Sequence, residues 1–228
     1  MNKIAVVLYG PPGSGKGTQA DLLAQKLGLI HFDTGKFLEN LVHDPARQKE
    51  KLIQKEKKNF DTGKLLTPSF VFREVASAAK KIADADMGIV FSGSPRTMYE
   101  AEHLLPVLNK LYGKKIFVFI LEIPEATSVK RNGSRLVCVE CKKPLLTAYY
   151  PSKKPKHCSF CAGPFYRRTL DDPKVIKVRL KEYRTRTMPI FDYVKSLRMK
   201  VHPVSGVSAP YKVFEKIYKI LNKDFGGR

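Results

Sequence analysis

Residues 10–18 read Gly-Pro-Pro-Gly-Ser-Gly-Lys-Gly-Thr, set between an apolar run, Ile4-Ala5-Val6-Val7-Leu8, and a helix-like stretch from Thr18 to Leu27. No other feature restricts the fold as much. A buried strand must deliver this loop to the start of a helix, which is the repeating unit of an α/β protein. Gly10, Gly13, Gly15 and Gly17 let the backbone curl until its N–H groups point inward. The helix N-terminus adds partial positive charge and Lys16 a full one, so Gly13, Ser14, Gly15, Lys16, Gly17 and Thr18 form a cradle for phosphate. The spacing Gly10-x4-Gly15-Lys16 fits a P-loop with one departure: Gly17 follows the lysine and the hydroxyl waits until Thr18. A glycine-rich turn that binds nothing is the competing account. The agreement of strand, glycines, lysine and helix argues against it, and a nucleoside triphosphate is the ligand implied.

The rest of the chain extends the same pattern. Strand-like apolar runs recur at Gly88–Phe91 and Lys115–Leu121, with weaker candidates at Leu29–Phe32 and Met199–Val204. Helical stretches lie at 67–84, 98–112, 124–133, 173–197 and 209–222. This alternation predicts a three-layer α/β fold: a five-stranded parallel sheet with helices on both faces. A length of 228 residues suits one such domain with insertions. Two segments break the rhythm and read as insertions, a charged helical one at 35–65 and a cysteine-bearing one at 136–168. The end from Asp224 to Arg228 reads as a short floppy tail.

No apolar run is long enough to span a bilayer, and the first strand starts without a signal or transit pattern, so a cytoplasmic protein with no membrane partner is expected. The formal net charge of +21 favours anionic partners, whether nucleotide phosphates, RNA or anionic lipid. A solvated lysine-rich surface accounts for much of it equally well.

Cys138-x2-Cys141 and Cys158-x2-Cys161 stand sixteen residues apart. Two such knuckles each supply two thiolates to one tetrahedral Zn²⁺, closing a hairpin too small to hold itself together. Disulfides or free thiols are the alternative, disfavoured in a reducing compartment. With all four positions filled by sulfur, the zinc is expected to be structural. Lys142, Lys143, Lys153, Lys154, Lys156, Arg167 and Arg168 surround the knuckles, as a basic flap over phosphates or as a solvated face.

With loop and knuckles both in place, the chain resembles the adenylate kinase family in its zinc-lid form, over nearly its whole length. Gly10–Thr18 matches that family's loop, Asp33-Thr34-Gly35 the start of its monophosphate arm, and Gly63-Lys64-Leu65-Leu66-Thr67 the arm's end. Phe91-Ser92-Gly93-Ser94-Pro95-Arg96 matches its Asp-Gly-Phe-Pro-Arg signature, and Val204-Ser205-Gly206 its Val-Asp-Gly. Arg131 and Arg135 precede the lid, and Arg168 and Arg179 follow it, at the family's spacing. The resemblance implies a core of residues 1–33, 68–135 and 170–228, a helical monophosphate arm at 34–67 and a small zinc-ribbon lid at 136–169. It implies Mg²⁺-dependent transfer of a phosphoryl group from ATP to a nucleoside monophosphate, AMP above others, by a monomer. Lys16, Arg96, Arg135, Arg168 and Arg179 would neutralise the phosphates. Arg131 would lie across the adenine of ATP, and Thr34, Leu66, Arg96 and Glu100 would hold the monophosphate.

Several positions depart from the family pattern. Ser92 replaces an aspartate that helps hold the water shell of Mg²⁺, and Ser94 an aromatic residue. Glu39 stands where the family has an arginine for the monophosphate, with Lys36 a partial substitute. Leu170 replaces the first of two lid aspartates, and Asp171 keeps the second. Glu100 stands for a glutamine that reads adenine; a carboxylate only accepts and suits the N1–H and N2 donors of guanine better. Glu100 turned out to solvent is the plain alternative. The sequence therefore leaves GMP or another monophosphate open as acceptor. It also leaves open a nucleotide-binding or RNA-binding protein of low activity on the same fold, although nucleic acid is not the favoured partner.

Overall fold

The structure is a computed structural model that describes residues 3–150 and 155–225. In chain order its elements are β1 (Ala5–Tyr9), α1 (Lys16–Leu27), β2 (Ile30–Phe32), α2 (Thr34–Val42), α3 (Lys51–Asp61), α4 (Pro68–Asp84), β3 (Ile89–Phe91), α5 (Met98–Tyr112), β4 (Ile116–Glu122), α6 (Glu125–Gly133), β5 (Leu136–Cys138), β6 (Pro144–Leu145), β7 (Phe165–Tyr166), α7 (Pro173–Glu182), α8 (Ile190–Ser196), β8 (Val201–Ser205) and α9 (Pro210–Phe225).

Five strands form one parallel sheet ordered β2-β3-β1-β4-β8, so both weak candidates are strands. Alternation along each strand sends side chains to opposite faces. Ala5, Val7, Ile89, Phe91, Val118 and Ile120 face one core, with Val75 of α4, Leu104 and Leu108 of α5, and Ile190 of α8. Val6, Leu8, Val90, Phe119 and Leu121 face the other, with Ala20 and Leu23 of α1 and Ile217 and Leu221 of α9. Burial on both faces explains why these strands read as unbroken apolar runs. It also fixes β1 at the centre, where its C-terminal end carries the glycine loop between β3 and β4.

The helix expected over 173–197 is broken. After α7 the backbone opens into a π turn at Tyr183–Thr187, in which Met188 N–H donates to Tyr183 O at 3.0 Å. Pro189 then lacks an N–H to continue the ladder, and α8 starts at Ile190. The charged segment after residue 33 folds into α2 and α3, joined through a 3₁₀ turn at Pro45–Arg47. The cysteine segment carries an antiparallel sheet ordered β6-β5-β7. The tail expected to be floppy from Asp224 begins inside α9, whose last residue is Phe225; residues 226–228 lie outside the described residues. Among the described residues no helix is long and apolar enough to cross a membrane.

Candidate active site

The loop after β1 is shaped by close approaches. Gly10 has φ 145°, and a Cβ there would stand 2.5 Å from Leu121 O and 2.6 Å from Ser14 Oγ. Lys16 opens α1, and its ammonium folds back to donate to Gly10 O at 2.6 Å and Pro11 O at 2.9 Å. It lines a cleft of about 700 Å³ together with Gly13, Ser14, Gly15, Gly17 and Thr18. Arg96, Arg131, Arg135, Arg168 and Arg179 line the same cleft. The structure thus gathers every cationic residue that the resemblance singled out, although the chain separates Lys16 from Arg179 by most of its length.

Gathering cations has an electrostatic consequence. Burial, and then the charges of Arg96, Arg179 and Arg135, hold Lys16 well below its ordinary pKa. Burial and the neighbouring arginines act on Arg179 in the same direction. Burial likewise lowers Arg96, against the attraction of Glu100 and Asp33. Like charges packed this closely favour any anion that enters among them.

Only part of this charge is balanced from within. Arg135 Nε donates to Asp171 Oδ2 at 2.8 Å, and its Nη2 bonds Asp171 Oδ1. Arg179 Nη1 lies 3.8 Å from the same carboxylate and donates to Leu170 O at 3.2 Å. Asp171 is 7% exposed and so gathers two arginines from within the wall. Arg168 Nη2 reaches Glu39 Oε2 at 3.3 Å, pairing the segment after the cysteines with α2. Lys36, three residues before Glu39 on α2, lines the cleft. Arg131 is pinned by its fork to Gly206 O at 2.8 Å and Val207 O at 3.0 Å.

Glu100 is not turned to solvent; it is 2% exposed. Its Oε2 accepts from Arg96 N–H at 2.8 Å and its Oε1 from Thr97 Oγ1 at 3.0 Å, while Thr97 Oγ1 accepts from Glu100 N–H. This is a relative of the capping box at the start of α5. Burial raises the Glu100 pKa, opposed by those hydrogen bonds. The residue still lines the cleft, as do Thr34 and Leu66. Thr34 Oγ1 is buried without a partner among the described residues.

Two features were missed by sequence reasoning. Glu56, fully buried on α3, accepts from Thr67 N–H at 2.8 Å and also bonds Thr67 Oγ1, tying down the stretch that presents Leu65 and Leu66. Ser92 Oγ lies 2.8 Å from His31 Nε2, and His31 Nδ1 lies 2.6 Å from Asp21 Oδ1. No local sequence signal marks either contact, because the partners come from different elements.

The four cysteines converge. Their sulfurs all lie within 4.8 Å of one another, with Cys138–Cys161 at 3.4 Å and Cys141–Cys158 at 3.7 Å. All four are free, and these separations far exceed a disulfide bond of about 2.05 Å, which sets the disulfide alternative aside. Zinc–sulfur bonds of about 2.3 Å in a tetrahedron place sulfurs about 3.8 Å apart, so the cluster fits zinc. Both knuckles turn through a residue of positive φ just after the second cysteine, Lys142 at 56° and Ala162 at 59°. Backbone N–H groups of Phe160 and Cys161 pull the Cys158 thiol down, towards the thiolate a metal needs, while at Cys141 the Lys143 backbone is outweighed by burial and bonds to the other three sulfurs, which push that thiol up. Of the basic residues nearby, Lys143 sits over the Phe160 ring and Arg167 donates to Gly133 O, while Lys153 and Lys154 lie outside the described residues.

Comparison with known proteins agrees with this geometry. A family model described as adenylate kinase matches residues 8–199. The chain is 38% identical to an adenylate kinase of Streptomyces coelicolor over 220 residues, which is 96% of this chain and 99% of that protein. It is 34% identical to one of Chlamydia pneumoniae, covering 95% and 97%. It is 33% identical to one of Methanothrix thermoacetophila, covering 96% and 98%. A glycine loop on a five-stranded sheet, a cleft ringed by cations and a four-cysteine cluster accompany sequence similarity along nearly the whole length, and the chain belongs to the adenylate kinase family of nucleoside monophosphate kinases.

Proposed function

We propose that this chain catalyses reversible phosphoryl transfer from ATP to AMP, giving two ADP. The convergence of Lys16, Arg96, Arg135, Arg168 and Arg179 on one cleft carries this reading. Bringing two nucleotides together concentrates negative charge, and catalysis of such a step is mostly alignment and neutralisation. The loop N–H groups and Lys16 hold the β- and γ-phosphates of ATP. The arginine forks align the transferred group and screen the incoming monophosphate. Arg131, fixed by backbone carbonyls, offers its plane to the adenine of ATP. Closure of the cysteine-bearing segment excludes water, so that phosphate goes to the acceptor and not to solvent.

AMP is favoured over GMP by the local role of Glu100. Its carboxylate already serves the start of α5, which accounts for an acidic residue there without a guanine partner. Thr34, with its unpartnered hydroxyl, and the backbone around Leu66 are left to hold the monophosphate.

The cleft suits a hydrated Mg²⁺, because Thr18 and Ser92 supply oxygen only and a hard cation keeps most of its water. Thr18 and Ser92 would hold the ion's water shell, and the ion would supply positive charge that offsets the charge developing on the transferred phosphate. The cysteine cluster holds one structural Zn²⁺, bound by its four thiolates. A coupled assay with ATP and each of AMP, GMP, CMP and UMP tests the reading. AMP is expected to give the highest kcat/KM, and turnover that ignores the monophosphate would overturn it.

A further inference from the structure

β3 lies beside β1 in the sheet, with Val7 opposite Phe91, so Ser92 leaves the sheet next to the strand that feeds the glycine loop. In P-loop proteins a carboxylate just past a neighbouring strand helps hold the cation that accompanies the nucleotide. Here the group at that place is a hydroxyl. It is 7% exposed, lines the cleft and does not stand alone. Ser92 Oγ is 2.8 Å from His31 Nε2, and His31 Nδ1 is 2.6 Å from Asp21 Oδ1.

The donor and acceptor roles follow from chemistry. The Asp21 carboxylate can only accept, so His31 Nδ1 carries a proton, and with the imidazole neutral Nε2 is the acceptor. The Ser92 hydroxyl then gives its hydrogen to Nε2 and keeps its lone pairs for the cleft. A free serine hydroxyl rotates and donates as readily as it accepts. This one is fixed as an acceptor, which is what a metal-bound water requires.

We propose that Asp21 and His31 are positioning residues that fix Ser92 as an acceptor for the water shell of the divalent cation bound with ATP. A relay of three neutral or distant groups thereby replaces one carboxylate at the edge of the phosphate site. The inference rests on the reading of the cleft as an ATP site. It concerns cation affinity alone, so it can fail while phosphoryl transfer stands.

The test is ATP affinity by titration calorimetry, with and without Mg²⁺. His31→Asn keeps an amide near Asp21 and removes the atom that faces Ser92. It should weaken the Mg²⁺-dependent gain in ATP affinity about tenfold, the scale of outer-shell metal substitutions, and leave metal-free ATP binding unchanged. Asp21→Ala, on the half-exposed face of α1, should act in the same direction and less strongly. Adding Ser92→Asp to His31→Asn should restore the gain, since a carboxylate accepts without help. A merely structural role of His31 would weaken both titrations equally. That result, or failure of Ser92→Asp to restore the gain, overturns the proposal. Should His31→Asn fold poorly, an unchanged Mg²⁺ gain in Asp21→Ala overturns it alone.

Discussion

Glu39 stands on α2 and holds Arg168, which lines the cleft, at 3.3 Å. If Arg168 serves the monophosphate as proposed, the incoming phosphate must take it from this carboxylate and then sit beside it. Two unit charges at that distance attract by about 5 kcal/mol at an effective dielectric of 20 and about 1.3 kcal/mol in bulk water. The Glu39 side chain is 39% exposed and that of Arg168 21%, so solvent removes most of the larger figure. A net value of about 1 kcal/mol is the upper end for exposed pairs. Glu39→Gln keeps the shape and removes the charge. KM for AMP should fall about fivefold, the equivalent of 1 kcal/mol, while KM for ATP and kcat stay within about twofold. Glu39→Arg also replaces repulsion of the phosphate by attraction and should lower KM roughly ten- to thirtyfold. Steady-state kinetics with AMP varied at saturating ATP reads both. An unchanged KM for AMP in both variants would refute the competition, and equal losses in kcat and kcat/KM would place Glu39 in the chemical step.

Lys16→Met should lower kcat by at least about a hundredfold and weaken metal-free ATP binding, because a cation in an enclosed phosphate site is lost; rapid-quench and equilibrium binding measurements check each part. ATP binding at alkaline pH should draw protons from solution, since the phosphates restore a Lys16 pKa that burial and nearby arginines hold down; calorimetry in two buffers of different ionisation enthalpy reads the uptake, and less is expected in Lys16→Met. Elemental analysis should find one zinc per chain, and Cys158→Ser should lower the Tm, because the cysteine segment has little core of its own; four titratable thiols without metal would contradict this. Thr97→Ala should destabilise α5 by about 1 kcal/mol in urea unfolding, as it removes both the helix cap and one partner of buried Glu100.

What could be read from the chain divides by physical range. The glycine loop and the five strands were legible, because a strand buried on both faces shows as an apolar run and loop chemistry is local. The cysteine cluster was legible for the same reason, since paired knuckles carry their spacing with them. The arginines were another matter. Arg96, Arg135, Arg168 and Arg179 stood out only through resemblance, and nothing local distinguishes them from surface arginines. Contacts across long separations were not legible at all. Ser92 lies 61 residues from His31, and Arg168 lies 129 from Glu39. Glu100 shows the opposite lapse. Thr97-x-x-Glu100 is a local capping pattern, legible in the chain, that accounts for the carboxylate without a base. The π turn before Pro189 marks the limit of periodicity, which saw one helix where the ladder opens for one turn.

Transfer between two nucleotides in one water-excluding cleft separates a kinase from a hydrolase or a nucleotide-binding protein. Phosphorus NMR of the protein with equimolar ATP, AMP and Mg²⁺ tests it most directly. ATP and AMP resonances are expected to decline together while ADP grows at twice their rate, with no inorganic phosphate. Release of inorganic phosphate with AMP untouched would show a hydrolase, and an unchanged spectrum would show a protein that binds nucleotides without transferring phosphate; either contradicts the account.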